Sequence, residues 1–243
     1  MTASTTLEGD PHLPLFRKLA QSIRNQIVQG DWGPGDKIPS ENEFSDRYGL
    51  APGTVRQALS TLVEEGLLER IHGKGTFVRR PNFSGSLISR FRFDLEKRTV
   101  RLISKSVVNA PKYVADKLHL EPGTLTIRLY RQHLDSEMKK PVMLDEIWLP
   151  YGRFQALMEF KDEAFGLKIY ELYREECDSI AFDATEVLSA ETVPSEAVSL
   201  LDVQRDAAVV RIDRVTRAVD GSVLEWRRVW GNAKGFHFEW RIS

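Results

Sequence analysis

Four side chains in the second half of the chain put charge or a titratable ring on stretches that otherwise read as strands: Arg131, His133, Asp145 and Glu225. Charged groups on a sheet need solvent or a partner, so such a set can form ordinary cross-strand ion pairs or hold the anionic and polar groups of a small ligand. A second set lies nearer the start. From Arg70 to Arg80 there are four cations (Arg70, Lys74, Arg79, Arg80) and no anion, around the run His72-Gly73-Lys74-Gly75. Glycines let a backbone approach another surface closely, and local positive charge suits phosphate. Other chemistry finds no support: five histidines show no metal-ligand spacing, Cys177 is alone, and no glycine run has a phosphate-cradling pattern. No catalytic residue, metal or cofactor is therefore expected.

The elements that would position the first set are legible. Leu15, Leu19, Ile23 and Ile27 recur every four residues and predict a helix over 14–29, closed by Gly30. After a Gly/Pro-rich turn, Ser40 and Glu43 form a capping box that opens a second helix over 41–48, ended by Gly49. Pro52 suits the first turn of a third helix, whose apolar face is Val55, Ala58, Leu59, Leu62 and Val63; Arg56, Gln57 and Ser60 fall outside it, and Gly66 ends it. Leu67–Ile71 and Thr76–Val78 read as a hairpin. Helix, turn, helix and a two-stranded wing is a geometry that sets one helix in a DNA major groove. It is also simply a stable small fold.

Beyond Pro81 the pattern changes. Strand-like runs occur at 101–109, 124–134, 142–149, 182–189, 207–218, 222–230 and 236–242, with helical patterns at 112–119, 165–177 and 194–201. Leu118, Leu120, Ile127, Arg128, Leu129 and Arg131 recur 83 residues later as Leu201, Val203, Val210, Arg211, Ile212 and Arg214. Two copies of helix, turn and strand predict an α+β fold, an antiparallel sheet with helices on one side.

Composition bounds the rest. The chain has 243 residues, 34 Lys+Arg against 35 Asp+Glu and 42% hydrophobic residues, a globular composition of two-domain length. The first 80 residues carry ten cations and ten anions, so any nucleic-acid contact must come from position and not from bulk charge. One cysteine fits a reducing cytoplasm, and no segment approaches the roughly 18 consecutive apolar residues of a membrane span. The expected division is a flexible tail over 1–13, a winged helix-turn-helix domain over 14–80, a linker over 81–100 and an effector-binding and dimerisation domain over 101–243.

The run from Lys37 to Phe44 (KIPSENEF), then Gly49 to Leu59 (GLAPGTVRQAL), Gly66-Leu67-Leu68 and Gly73 to Val78 (GKGTFV) resembles the winged-helix domain of the GntR family of bacterial transcription regulators. Leu118 to Gly123, Pro141 to Glu146 and Gly221 to Trp226 resemble the UTRA ligand-binding domain of its HutC-type branch, whose fold is similar to chorismate lyase.

The resemblance implies a homodimeric regulator, a repressor by expectation, that binds a double-stranded DNA operator and answers a small, anionic effector. DNA contacts would come from Ser40, Asn42, Gly53, Thr54, Arg56 and Gln57 around the recognition helix, and from His72, Gly73, Lys74 and Gly75 in the wing. In the effector domain it implies Arg131 and His133 for the anion, Asp145 and Glu225 for polar groups, and Lys168 where the family often has Ser. The chain departs from the family pattern at Asn42, where Arg is frequent, and at Ala51-Pro52, where Ser-Arg is frequent. The rival reading is an enzyme acting on a small anionic substrate with the chorismate-lyase-like domain.

Overall fold

The computed structural model describes residue 7 and residues 12–80, 86–87, 98–234 and 236. The chain falls into two units, 1–81 and 82–243. Most of the expected tail, of the expected linker and of the strand over 236–242 lies outside the described residues.

In the first unit, α1 (Leu15–Val28) buries Leu19, Ala20, Ile23 and Ile27. Ser40 caps α2 (Glu41–Tyr48): its hydroxyl accepts from the Glu43 amide at 3.3 Å while the Glu43 carboxylate accepts from the Ser40 amide at 2.7 Å. Gly49, with φ 64°, closes α2 in the left-handed conformation. α3 (Pro52–Glu64) carries Pro in its first turn and buries Val55, Ala58, Leu59 and Leu62. Strands β1 (Leu68–Ile71) and β2 (Gly75–Val78) pair antiparallel, Leu68 opposite Val78 and Ile71 opposite Gly75. Gly75 sits at φ +124°, and a Cβ there would meet Lys37 Cε at 2.7 Å, so the wing needs glycine at this point.

The second unit is a six-stranded antiparallel sheet. Its elements in chain order are β3 (Arg98–Asn109), α4 (Lys112–Leu118), β4 (Leu125–Asp135), β5 (Pro141–Pro150), α5 (Tyr151–Phe154), 3-10 turns Gln155–Glu159 and Asp162–Phe165, α6 (Ile169–Cys177), β6 (Asp183–Thr192), α7 (Val198–Leu201), β7 (Ala208–Arg217) and β8 (Val223–Asn232). The strand order β3-β4-β5-β8-β7-β6 runs outward identically from the β5/β8 centre. The internal repeat is therefore a pseudo-twofold. Its centre falls between the cross-strand pairs Asp145 opposite Val229 and Glu146 opposite Arg228, flanked by Leu144 opposite Trp230 and Ile147 opposite Arg227.

Helices cover both faces of the sheet, not one as the sequence pattern predicts. On one face α4 packs with Trp148 and Trp226, and α7 with Leu144 and Trp230. On the other, α5, the 3-10 turns and α6 pack on Ile127, Leu129, Ile147 and Leu149. β5 is accordingly buried along its whole length except at its two end residues, and a strand covered on both faces reads as a continuous run that hides which side is open.

Candidate DNA-binding and effector sites

On the first unit, α3 turns Gly53, Arg56 and Gln57 to solvent, with Thr54 half-buried beside them. This stripe is what remains once the apolar face has packed. Asn42 is exposed on α2, and His72, Gly73, Lys74 and Gly75 are all exposed at the hairpin tip. One acid ties these elements together. Arg56 Nε donates to Glu41 Oε2 at 3.0 Å, and Arg70 of β1 stands 3.6 Å from Glu41 Oε1 while donating to Ser60 Oγ at 3.2 Å. Ser40 differs from the others, since its hydroxyl already serves the cap.

On the second unit, strand alternation places Arg131 and His133 of β4, Asp145 of β5, Glu225 and Arg227 of β8, Arg214 of β7 and Glu186 of β6 on one face. Arg131 binds the Asp145 carboxylate through two hydrogen bonds, Nε to Oδ1 at 3.0 Å and Nη2 to Oδ2 at 2.6 Å. Its Nη1 donates to the carbonyls of Phe165 (3.3 Å) and Gly166 (2.8 Å). His133 Nε2 lies 3.1 Å from the same Asp145 Oδ2. Arg227 is 3.6 Å from Asp145 and binds both oxygens of Glu225 at 2.9 and 2.8 Å. Tyr170 and Tyr173 of α6 donate to Glu225 at 3.0 and 2.8 Å. Arg214 extends the chain to Tyr170 and Glu186.

Charge and burial act together here. Burial works to raise the Asp145 pKa, but Arg131, then His133 and Arg227, hold the carboxyl far below the usual carboxylate range. Glu225 is lowered in the same way, burial being outweighed chiefly by Arg227. Burial pushes the His133 imidazole below its ordinary value against the pull of Asp145, so it is neutral at pH 7. Burial, reinforced by Glu225, pushes the Tyr173 hydroxyl well up and keeps it a donor.

Four of the five expected effector residues are thus brought together. Lys168 is not: its ammonium pairs with Glu171 at 3.1 Å with the side chain 78% exposed, because it precedes the first turn of α6 on the solvent side. Arg131 is present but saturated, every guanidinium nitrogen having a partner. The sequence reading missed Arg98, which is 8% exposed at the start of β3 inside the stretch assigned to the linker. Its signal was the alternation Arg98, Val100, Leu102, which continues the strand backward. Arg214 was also missed as a site residue, although the repeat already paired it with Arg131.

The model for bacterial regulatory proteins of the gntR family matches residues 15–78, and that for the UTRA domain matches residues 96–237. This chain belongs to the GntR family. The GntR-family chain is 31% identical over 238 residues to the mannosyl-D-glycerate transport/metabolism system repressor MngR of Escherichia coli K12, covering 93% of this chain and 95% of that protein. It is 29% identical to the transcriptional repressor NagR of Bacillus subtilis 168, covering 88% of each. The crystal structure of PhnF from Mycobacterium smegmatis shares the fold at 21% identity and TM-score 0.54, over 95% of this chain and 99% of that one. The GntR-family chain is a DNA-binding transcription regulator with a UTRA effector domain, and not an enzyme. Among the described residues no helix is long and apolar enough to cross a membrane, and no group of three or more His, Cys, Asp or Glu side chains is placed to hold a metal.

Proposed function

We propose that this regulator is a cytoplasmic homodimer, a repressor whose two winged-helix units grip adjacent half-sites of an operator and whose hold is modulated by a small anionic metabolite in the second unit. Half-sites one helical turn apart demand two copies of the reading helix, which is the physical reason for a dimer. The domain reading is a DNA-binding module over 14–80 and an effector module over 101–243 joined by the segment between them, the effector module reaching back to include Arg98. Arg56, Gln57, Thr54 and Gly53 read or approach the groove, Asn42 and Ser40 flank it, and His72 to Gly75 form the wing contact, with Lys74 on phosphate.

The observation that carries the effector half is the polar network buried on one sheet face, from His133 and Asp145 through Arg227 to Glu225. Groups so enclosed are costly to bury for stability alone, and a ligand gives them a use. One relative is named for mannosyl-D-glycerate, and a metabolite of that kind, sugar plus carboxylate, suits a face of guanidiniums, carboxylates and phenols. The test is a gel-shift titration with operator DNA at fixed salt: Arg56→Ala is expected to lose specific affinity by about 1–3 kcal/mol per half-site without unfolding, since Arg56 is solvent-exposed and opens no cavity. Unchanged binding would remove α3 from the groove.

A further inference from the structure

The effector reading leaves open which cation meets the ligand's anion, and resting on that reading the buried face gives an answer. Arg131 has no free nitrogen. Arg98 does. It is 8% exposed, its Nε has no hydrogen-bond partner, and its Nη1 touches only the thioether sulfur of Met143 at 4.0 Å among the described residues. Met143 lies directly opposite His133 in the β4–β5 ladder, and Val100, two residues along from Arg98, lies opposite His133 on the other side. Arg98 and His133 therefore converge on one end of the sheet face.

His133 is the second unsatisfied group there. The Asp145 carboxylate can only accept, so His133 Nε2 carries the ring proton, and Nδ1 is left as a bare acceptor; it is buried without a partner. A guanidinium donor beside an imidazole acceptor asks for a ligand with an anionic oxygen next to a hydroxyl. The charge count narrows the class. Among the described strand groups of this face Arg98, Lys105, Arg131, Arg214 and Arg227 stand against Asp135, Asp145, Glu186 and Glu225, one positive charge in excess. A monoanion neutralises that excess. A phosphate dianion overshoots it and sets a second anionic oxygen against a bare ring nitrogen.

We propose that the effector is a hydroxycarboxylate, its carboxylate on the Arg98 guanidinium and its hydroxyl donating to Nδ1 of His133, while Arg131 holds the wall of the site and does not touch the anion.

The test is calorimetric titration of the full-length protein at neutral pH with four probes: glycerate, propionate, glycerol and inorganic phosphate. Glycerate is expected to bind with a Kd of about 1 mM and at least about tenfold tighter than the other three. Arg98→Met is expected to abolish glycerate binding while raising the melting temperature, because an unpartnered buried cation gives way to an apolar side chain of similar length. His133→Gln should keep carboxylate binding but bring glycerate and propionate to within about twofold of each other. The rise in melting temperature with Arg98→Met shows that the loss of binding is not a loss of fold. No saturable glycerate binding up to about 50 mM, tighter binding of phosphate, or undiminished glycerate affinity in Arg98→Met overturns the proposal. Should phosphorylated sugars raise the melting temperature of the wild type while glycerate does not, the effector reading stands and this assignment falls.

Discussion

Glu41 accepts a hydrogen bond from Arg56 Nε at 3.0 Å and holds Arg70 at 3.6 Å with its other oxygen. On the proposed DNA face a carboxylate repels phosphates on its own account, while its two contacts restrain arginine side chains that would otherwise sweep through solvent. The first residue of α2 thereby links the exposed stripe of α3 to the wing strand.

Glu41→Gln should therefore change the quality of DNA binding more than its strength. Loss of the negative charge raises affinity for random DNA, while the unaimed Arg56 reads bases less well, so the ratio of specific to random affinity is expected to fall about five- to tenfold. Parallel gel-shift titrations on operator and scrambled DNA measure the ratio. An unchanged ratio would mean that Arg56 finds its place without help.

Lys74 is exposed at the hairpin tip and has no acid beside it in the run from Arg70 to Arg80. Lys74→Ala should weaken binding to operator and random DNA alike and reduce the slope of log affinity against log salt by about one per wing, because the lysine acts by releasing counterions. A loss confined to one operator sequence would reassign it as a base reader.

Arg131→Ala is expected to act on stability before it acts on any ligand. Removing the guanidinium leaves Asp145 enclosed with only His133 and the more distant Arg227, and strips the Phe165 and Gly166 carbonyls of a donor. A loss of about 3–5 kcal/mol in urea unfolding follows from breaking a buried pair. Lys168→Ala, which breaks the pair of a largely exposed lysine, should cost less than about 0.5 kcal/mol in the same measurement.

The sequence made the first unit legible because its signals are local: the Ser40–Glu43 box, Pro52 in the first turn of α3 and the left-handed Gly49 each act within one turn of chain. The repeat linking Arg131 to Arg214 likewise foresaw a mirrored sheet. Illegible were the facts that depend on which strands become neighbours. β5 and β8 meet at the centre although 72 residues of other structure separate Pro150 from Val223, so the approach of Arg227 to Asp145 has no trace in spacing. The helical pattern over 165–177 shrank to Ile169–Cys177 and that over 194–201 to a single turn at Val198–Leu201, since packing on the sheet outranks propensity at helix ends. Arg98 was hidden for a related reason: a charged residue at the start of a strand looks like a connector until a neighbouring strand buries it.

His133 gives the last prediction, a dependence of stability on pH with a fixed sign. Burial is the main influence lowering its pKa from the ordinary value of 6.5; Asp145 opposes it, and Arg131 and Arg98 add to it. Above about pH 6.5 neither the folded nor the unfolded chain protonates this ring, and it contributes nothing to the pH dependence. Below that value the unfolded chain takes up a proton that the folded site refuses, so stability falls as pH falls, by up to about 1.4 kcal/mol per pH unit. Asp145 and Glu225 act in the same direction, but their ordinary values of 3.8 and 4.5 place their window lower. Urea unfolding between about pH 7 and pH 5 therefore isolates the histidine, and His133→Gln, which has no proton to take up, should show a shallower decline than the wild type. Equal slopes for the two proteins would mean that His133 is charged in the folded state. Its Nδ1 would then be a donor, and the hydroxyl site beside Arg98 would be lost with it.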